Sequence, residues 1–181
     1  MITTTFLSLR KISELRPAKN SQVELKLQRI LCPDAVRNMF DEVGKHYSWN
    51  LDRADWRTVA WQRRLRRQSV KAFFICMADG TPVGYLETDS HNKSAVEIVY
   101  FGLRPSYIGF GLGGAALTIT VRQLIHEYPL GIWLHTCTLD HPSSLGNYYA
   151  RGFQFLKEEK SGTHFAAREI NALEASNMAS G

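Results

Sequence analysis

The chain has 181 residues, 44% hydrophobic and 22% charged, which supplies one sizeable core and excludes a disordered or fibrous chain. Its formal net charge of +5 suits an anionic ligand, yet basic residues spread along a chain usually form solvated surface, so charge alone selects no partner. Cys32, Cys76 and Cys137 are odd in number, far apart and without a CxxC pair, which argues against a disulfide framework or a structural zinc site and fits a reducing, cytoplasmic compartment.

Residues 1–22 are weakly patterned and end in Pro17, Lys19, Asn20 and Ser21. They read as a poorly ordered lead-in or a peripheral strand without function, and residues 1–16 lack the long apolar run of a signal peptide or membrane anchor. Val23, Leu25, Leu27 and Ile30 alternate as in a strand, and Pro33-Asp34 opens a helix with Val36, Met39, Phe40 and Val43 at helical spacing. After a loop with His46, Tyr47, Trp49 and Asn50, a second helix over 54–67 places Trp56, Val59 and Ala60 on one side. The run 71–78, the turn Asp79-Gly80 and the segment 82–88 read as a hairpin, with a further strand at 95–103. A glycine turn, a helix to about Tyr128, a strand over 131–138, a short helix over 142–151 and a closing strand pair within 153–170 complete one domain over 23–170. Residues 171–181 read as a frayed tail.

Gly109, Gly111, Gly113 and Gly114 stand between the strand at 95–103 and its following helix, removing side chains where a backbone must approach something closely. That helix carries Leu117, Val121, Leu124 and Ile125 on its buried stripe. Its first N–H groups, without intrahelical partners, point back toward the turn and, with the helix dipole, suit a phosphate. The competing reading is a tight turn that only lets the helix pack on the sheet. A dinucleotide fold is disfavoured because its glycine turn belongs to an early βαβ unit, and the Gly-Lys-Ser/Thr ending of a nucleotide-triphosphate loop is missing.

The stretch Ala95-Val-Glu-Ile-Val-Tyr-Phe-Gly-Leu-Arg-Pro105 entering the glycine turn, with this order of elements, resembles the GNAT superfamily of acetyltransferases over roughly 23–170. The family's cradle, Arg/Gln-x-x-Gly-x-Gly/Ala, is met by Ile108-Gly109-Phe110-Gly111-Leu112-Gly113, with Ile108 in place of the Arg or Gln. A second block, Tyr-x-x-x-Gly-Phe, is matched by Tyr148-Tyr149-Ala150-Arg151-Gly152-Phe153. Its usual leading Asn and Ala are His141 and Ser144 here, and Asn147 is offset, so an Asn contact to the cofactor is not implied. The resemblance implies a mixed α/β (α+β) GNAT fold: a central, mostly antiparallel mixed sheet, helices on both faces, and two splayed strands opening an acetyl-CoA cleft. Pantetheine is then expected along the strand at Phe101 to Leu103, and pyrophosphate at Ile108, Gly109, Gly111, Leu112, Gly113 and Gly114.

An amine attacking a thioester must be neutral, so a base or water chain is needed, and an acid near the departing thiolate helps. Glu97 sits where the family often places its base, acting directly or through water; its plain reading is a solvent-facing glutamate, and Glu87 is the runner-up. Tyr148 matches the family's thiolate-protonating tyrosine, although the adjacent Tyr149 leaves the register open and both could be packing residues. His135 and His141 have no partner at metal-ligand spacing and read as structural or surface histidines. Arg63, Arg64, Arg66 and Arg67 read as a solvated helix face, against a contact to ribose phosphate, an acidic acceptor or nucleic acid. The resemblance puts Tyr47, Trp49, Trp56 and Trp61 beside the acceptor, with core packing as the alternative for Trp56.

The expectation is a metal-free enzyme moving an acetyl group from acetyl-CoA to a primary amine, by direct transfer because no cysteine stands in either motif as a nucleophile. The acceptor is open, a small molecule being preferred to a protein; no membrane partner is expected, and a homodimer would suit the family. A catalytically silent acyl-CoA-binding regulatory domain would keep the cradle but tolerate loss of Glu97 or Tyr148, both present here. A basic nucleic-acid-binding protein is disfavoured by the order of the motifs.

Overall fold

The computed structural model describes residues 1–19, 23–47, 49–90 and 94–162. In chain order they form β1 (Ile2–Leu9), β2 (Leu25–Ile30), α1 (Pro33–Gly44), α2 (Trp49–Arg53), α3 (Thr58–Leu65), β3 (Val70–Met77), β4 (Pro82–Asp89), β5 (Val96–Leu103), α4 (Leu112–Leu124), β6 (Ile132–Cys137), α5 (Ser144–Ala150) and β7 (Gln154–Ser161). The strands make one sheet in the order β2-β3-β4-β5-β6-β1-β7. All neighbours are antiparallel except β5 and β6. This is the mixed, mostly antiparallel sheet expected from the sequence.

The first strand differs from expectation. Residues 2–9 lie inside the sheet, paired with β6 from Thr4↔Cys137 to Leu9↔Ile132 and with β7 from Ile2↔Ser161 to Ser8↔Gln154. Residues 4–9 are buried on both faces, so the sequence shows no alternation, and the run Thr3, Thr4, Thr5 has high strand propensity without looking apolar. The chain after β1 is fastened too: Arg16 N donates to Arg151 O at 3.0 Å, and Ala18 N donates to Thr118 Oγ1 at 3.1 Å. The second strand of the expected closing pair, at 163–170, and the tail at 171–181 lie outside the described residues.

Helices cover both faces. Leu117, Val121 and Leu124 of α4 and Tyr148 of α5 join Leu7, Ile75, Leu86 and Ile98 in one core. Val36, Met39, Phe40 and Val43 of α1, with Trp61 of α3, join Ala72, Tyr85 and Tyr100 in the other. The expected helix over 54–67 is the shorter α3, and α2 forms in the stretch expected to be a loop. The buried side of α3 is also rotated: Trp61 is enclosed while Val59 is 63% exposed.

The strand pair that opens the molecule is β5–β6. It is bonded only at Val96↔Ile132, Glu97↔Trp133 and Ile98↔Leu134, although both strands continue. The cause lies on the other side of β5, where Glu87↔Tyr100 is followed by Thr88↔Ile98 and Val99 is skipped. One extra residue bends and twists a strand, so β5 leaves β6 where the bulge sits. The bulge also changes side-chain parity: Val96 and Ile98 face the α4 core with Phe101 and Leu103, whereas Tyr100 joins the α1 core.

Candidate active site

The split between β5 and β6 is a cleft of about 370 Å³. Every residue assigned to cofactor binding from the sequence lines it: Phe101, Leu103, Ile108, Gly109, Gly111, Leu112, Gly113 and Gly114. Gly109 and Gly111 have φ of +93° and +75°, a left-handed backbone that side chains disfavour. A Cβ at Gly109 would meet nothing within 4 Å, so glycine there serves the turn and not the packing. Gly111 is the N-cap of α4 and has no side chain to occupy the first-turn N–H groups. At Gly113 a Cβ would approach only Asn147 Nδ2, at 3.6 Å, so the cradle wall is open. At Gly114 it would overlap the Arg151 guanidinium and come within 3.1 Å of Ala18 Cβ, so this glycine lets α4 pack closely. Phosphate and packing readings thus divide among the four glycines.

Glu97 is not on the cleft surface and is not solvent-facing: it is 5% exposed. Because Glu97 registers with Trp133, its carboxylate falls beside His135, two residues further along β6 on the same face. Glu97 Oε1 is 3.3 Å from His135 Nδ1, an ion-pair separation without in-line hydrogen-bond alignment. His135 lines the cleft. Burial lowers its pKa, but Glu97, with Asp140 and Asp52 further off, outweighs burial and raises it. His135 is thus no surface residue: its ring forms part of the cleft wall with a carboxylate behind it.

The tyrosine register is resolved. Tyr148 is buried and lines the cleft, with its ring 6.5 Å from that of Phe101, whereas Tyr149 is 41% exposed and faces a different depression beside Glu14 and Gly152. Burial, and to a lesser degree the Asp140 charge, push the Tyr148 phenol well above its usual range, so it stays protonated and able to donate. Cys137 also lines the cleft, which the sequence did not foretell. Burial and Asp140 raise its thiol, the reverse of nucleophile activation.

Glu87 is no base. It is fully buried and accepts from Arg53 twice at 2.7 Å, from Arg64 Nε at 2.9 Å and from the Tyr85 phenol at 2.7 Å. Burial opposes ionisation, but the two guanidiniums and the phenol hold its pKa down to about 2. Arg64 also donates to Asp89 at 2.6 Å, so the arginine helix is not simply a solvated face: Arg63, Arg66 and Arg67 are exposed, while Arg64 turns inward. The Arg53 guanidinium lies 4.5–5.1 Å from the ring centroids of Phe40, Trp56, Trp61 and Tyr100. Trp56 and Trp61 therefore belong to this cage and the core, while Tyr47 and Trp49 do line the cleft.

Sequence reasoning missed Asp52 and Asp140. Tyr100 donates to Asp52 Oδ2 at 2.8 Å, and Asp140 Oδ2 accepts from Thr136 Oγ1 at 2.7 Å and Cys137 N at 2.8 Å. Both aspartates line the cleft, as do Thr4 and His141. No local motif marks them; they meet only through the sheet order. Among the described residues no group of three or more His, Cys, Asp or Glu side chains is placed to hold a metal ion, and no helix is long and apolar enough to cross a membrane.

Residues 36–153 match the profile of the Acetyltransferase (GNAT) family. No curated protein matches the chain. Among solved structures, YycN of Bacillus subtilis superposes with a TM-score of 0.53 at 18% identity, covering 82% of this chain and 100% of that one. A GCN5-related N-acetyltransferase from Kribbella flavida gives 0.55 at 17% identity over 86% of this chain but only 56% of its own longer chain. The PaiA N-acetyltransferase of Thermoplasma acidophilum, solved with coenzyme A, gives 0.50 at 15% identity over 76% and 99%. At these identities the likeness is one of fold.

Proposed function

The chain belongs to the acetyltransferase (GNAT) family, and from that premise we propose that its cleft binds acetyl-CoA and passes the acetyl group directly to a primary amine on a small molecule. One observation carries the reading: the β5–β6 split has a glycine-built helix N-terminus on its rim and the His135–Glu97 pair and Tyr148 in its walls.

Acetyl-CoA supplies the activated thioester. The free N–H groups at the start of α4 hold its pyrophosphate, and the edge of β5 over 99–103, released from β6, offers backbone groups to the pantetheine amides as an added strand would use them. The coenzyme A in the Thermoplasma acidophilum structure supports this ligand class. His135 takes the proton that the amine must shed, with Glu97 stabilising the imidazolium. The N–C bond forms, the C–S bond breaks, and Tyr148 gives its proton to the departing sulfur; exchange with solvent then restores both groups. The protonated Cys137 thiol favours direct transfer over an acetyl-enzyme.

Calorimetric titration with acetyl-CoA tests the site. The natural protein should bind saturably. Gly113→Glu adds bulk and negative charge to the cradle at a position with room for a Cβ, and should remain folded and lose binding. No heat from the natural protein would sink the proposal.

A further inference from the structure

The acceptor end of the cleft has a charge and shape of its own. The lining of the whole cleft includes Asp52 and Asp140 and, among the described residues, no lysine or arginine, although the chain carries 22 of these and a net charge of +5. Trp49 and Tyr100 stand beside Asp52, their rings 4.9 Å apart. Trp49 is a fixed wall: a Cβ at Gly44 would come within 2.5 Å of its Cβ, and one at Gly102 within 3.1 Å of its Cη2, so the indole fits between two residues that must be small. Asp52 is held as well, its Oδ2 accepting the Tyr100 phenol.

We infer that the acceptor is a small amine bearing a second cationic group and no carboxylate, with that second charge seated on Asp52 against the Trp49 ring. This rests on the transferase reading and adds to it a substrate class. A carboxylate attracts an ammonium, and the face of an indole carries the negative quadrupole that favours a cation while replacing its water. A fixed ring and a fixed carboxylate bind with little ordering cost. A substrate carboxylate, in contrast, meets like charge from Asp52 and Asp140 and finds no lysine or arginine among the described lining residues. Amino acids are therefore rejected, and α,ω-diamines are accepted.

The test uses three compounds of similar length with the full chain and acetyl-CoA: 1,5-diaminopentane, 1-aminopentane and 5-aminopentanoate. The diamine should exceed the monoamine in kcat/KM by about tenfold or more and the amino acid by on the order of a hundredfold, the scale of one charge-assisted hydrogen bond formed and one repulsion avoided. Asp52→Asn keeps an acceptor for the Tyr100 phenol and should cut the diamine-to-monoamine ratio by about tenfold, through KM. Equal use of the three compounds by the natural protein overturns the inference, as does acetyl-CoA binding without turnover of the diamine, or a preference unchanged in a folded Asp52→Asn. Failure to bind acetyl-CoA at all would instead remove the reading on which it rests. The series on the natural protein decides the matter even if the variant does not fold.

Discussion

At the scale of single residues, the proposed His135 base and its Glu97 partner predict a pH dependence. A base works deprotonated, so kcat should rise with pH through the His135 pKa, which Glu97 helps to lift above the ordinary histidine value. Glu97→Gln removes that charge, favours the neutral ring and should move the rising limb of the kcat profile to lower pH; an unmoved limb would take Glu97 out of the mechanism. Tyr148→Phe should lower kcat by on the order of a hundredfold with acetyl-CoA affinity retained in calorimetry, since it removes a proton donor and keeps the ring. Cys137→Ala should keep its turnover, and intact-mass measurement of the natural protein with acetyl-CoA should show no acetyl adduct, because a raised thiol pKa disfavours nucleophilic attack. Of these residues the sequence made Glu97 and Tyr148 legible through the motifs around them. His135 was visible only as a lone histidine, and its position emerged from the β5–β6 register.

At the scale of elements, α2 is only five residues long, too short to be stable on its own propensity. Tertiary contacts hold it: Arg53 pairs with Glu87 inside four aromatic rings, and this anchor presents Trp49 and Asp52 to the cleft. Arg53→Met should cost about 3 kcal/mol in urea unfolding, because it leaves the buried Glu87 carboxylate with only Arg64 and Tyr85, and adding Glu87→Gln should recover part of the loss. The pH dependence has a definite sign. Glu87 is depressed from 4.5 to about 2 on folding, so its contribution is complete above 4.5 and is lost as pH falls through that interval toward about 2. Glu87→Gln should flatten that part of the acid-unfolding curve. None of this was legible along the chain: Arg53, Arg64, Tyr85 and Glu87 are spread over three separate elements and lie in no motif, and the run of arginines looked like surface because three of its four members are.

At the scale of the molecule, the hairpin β3–β4, the strand into the glycine turn and α4 could be read from the sequence because each has local period and punctuation. β1 could not, since a strand covered on both faces has no alternation and its threonines mask its burial. That strand matters to function: it supplies Thr4 to the cleft wall and holds β6, through six residue pairs, on the far side of the split. The cleft itself depends on one unpaired residue, Val99, which no composition or spacing announces. The reaction proposed for this opening is one between an amine and acetyl-CoA. Its most direct test is the release of free coenzyme A thiol from acetyl-CoA, followed by a thiol-trapping dye as the concentration of 1,5-diaminopentane is varied. Saturable, amine-dependent release, with N-acetylated diamine formed in equal amount, is the predicted result. Saturable acetyl-CoA binding with no amine-dependent release from this or any other primary amine would contradict it and leave the chain an acyl-CoA-binding domain without transfer chemistry.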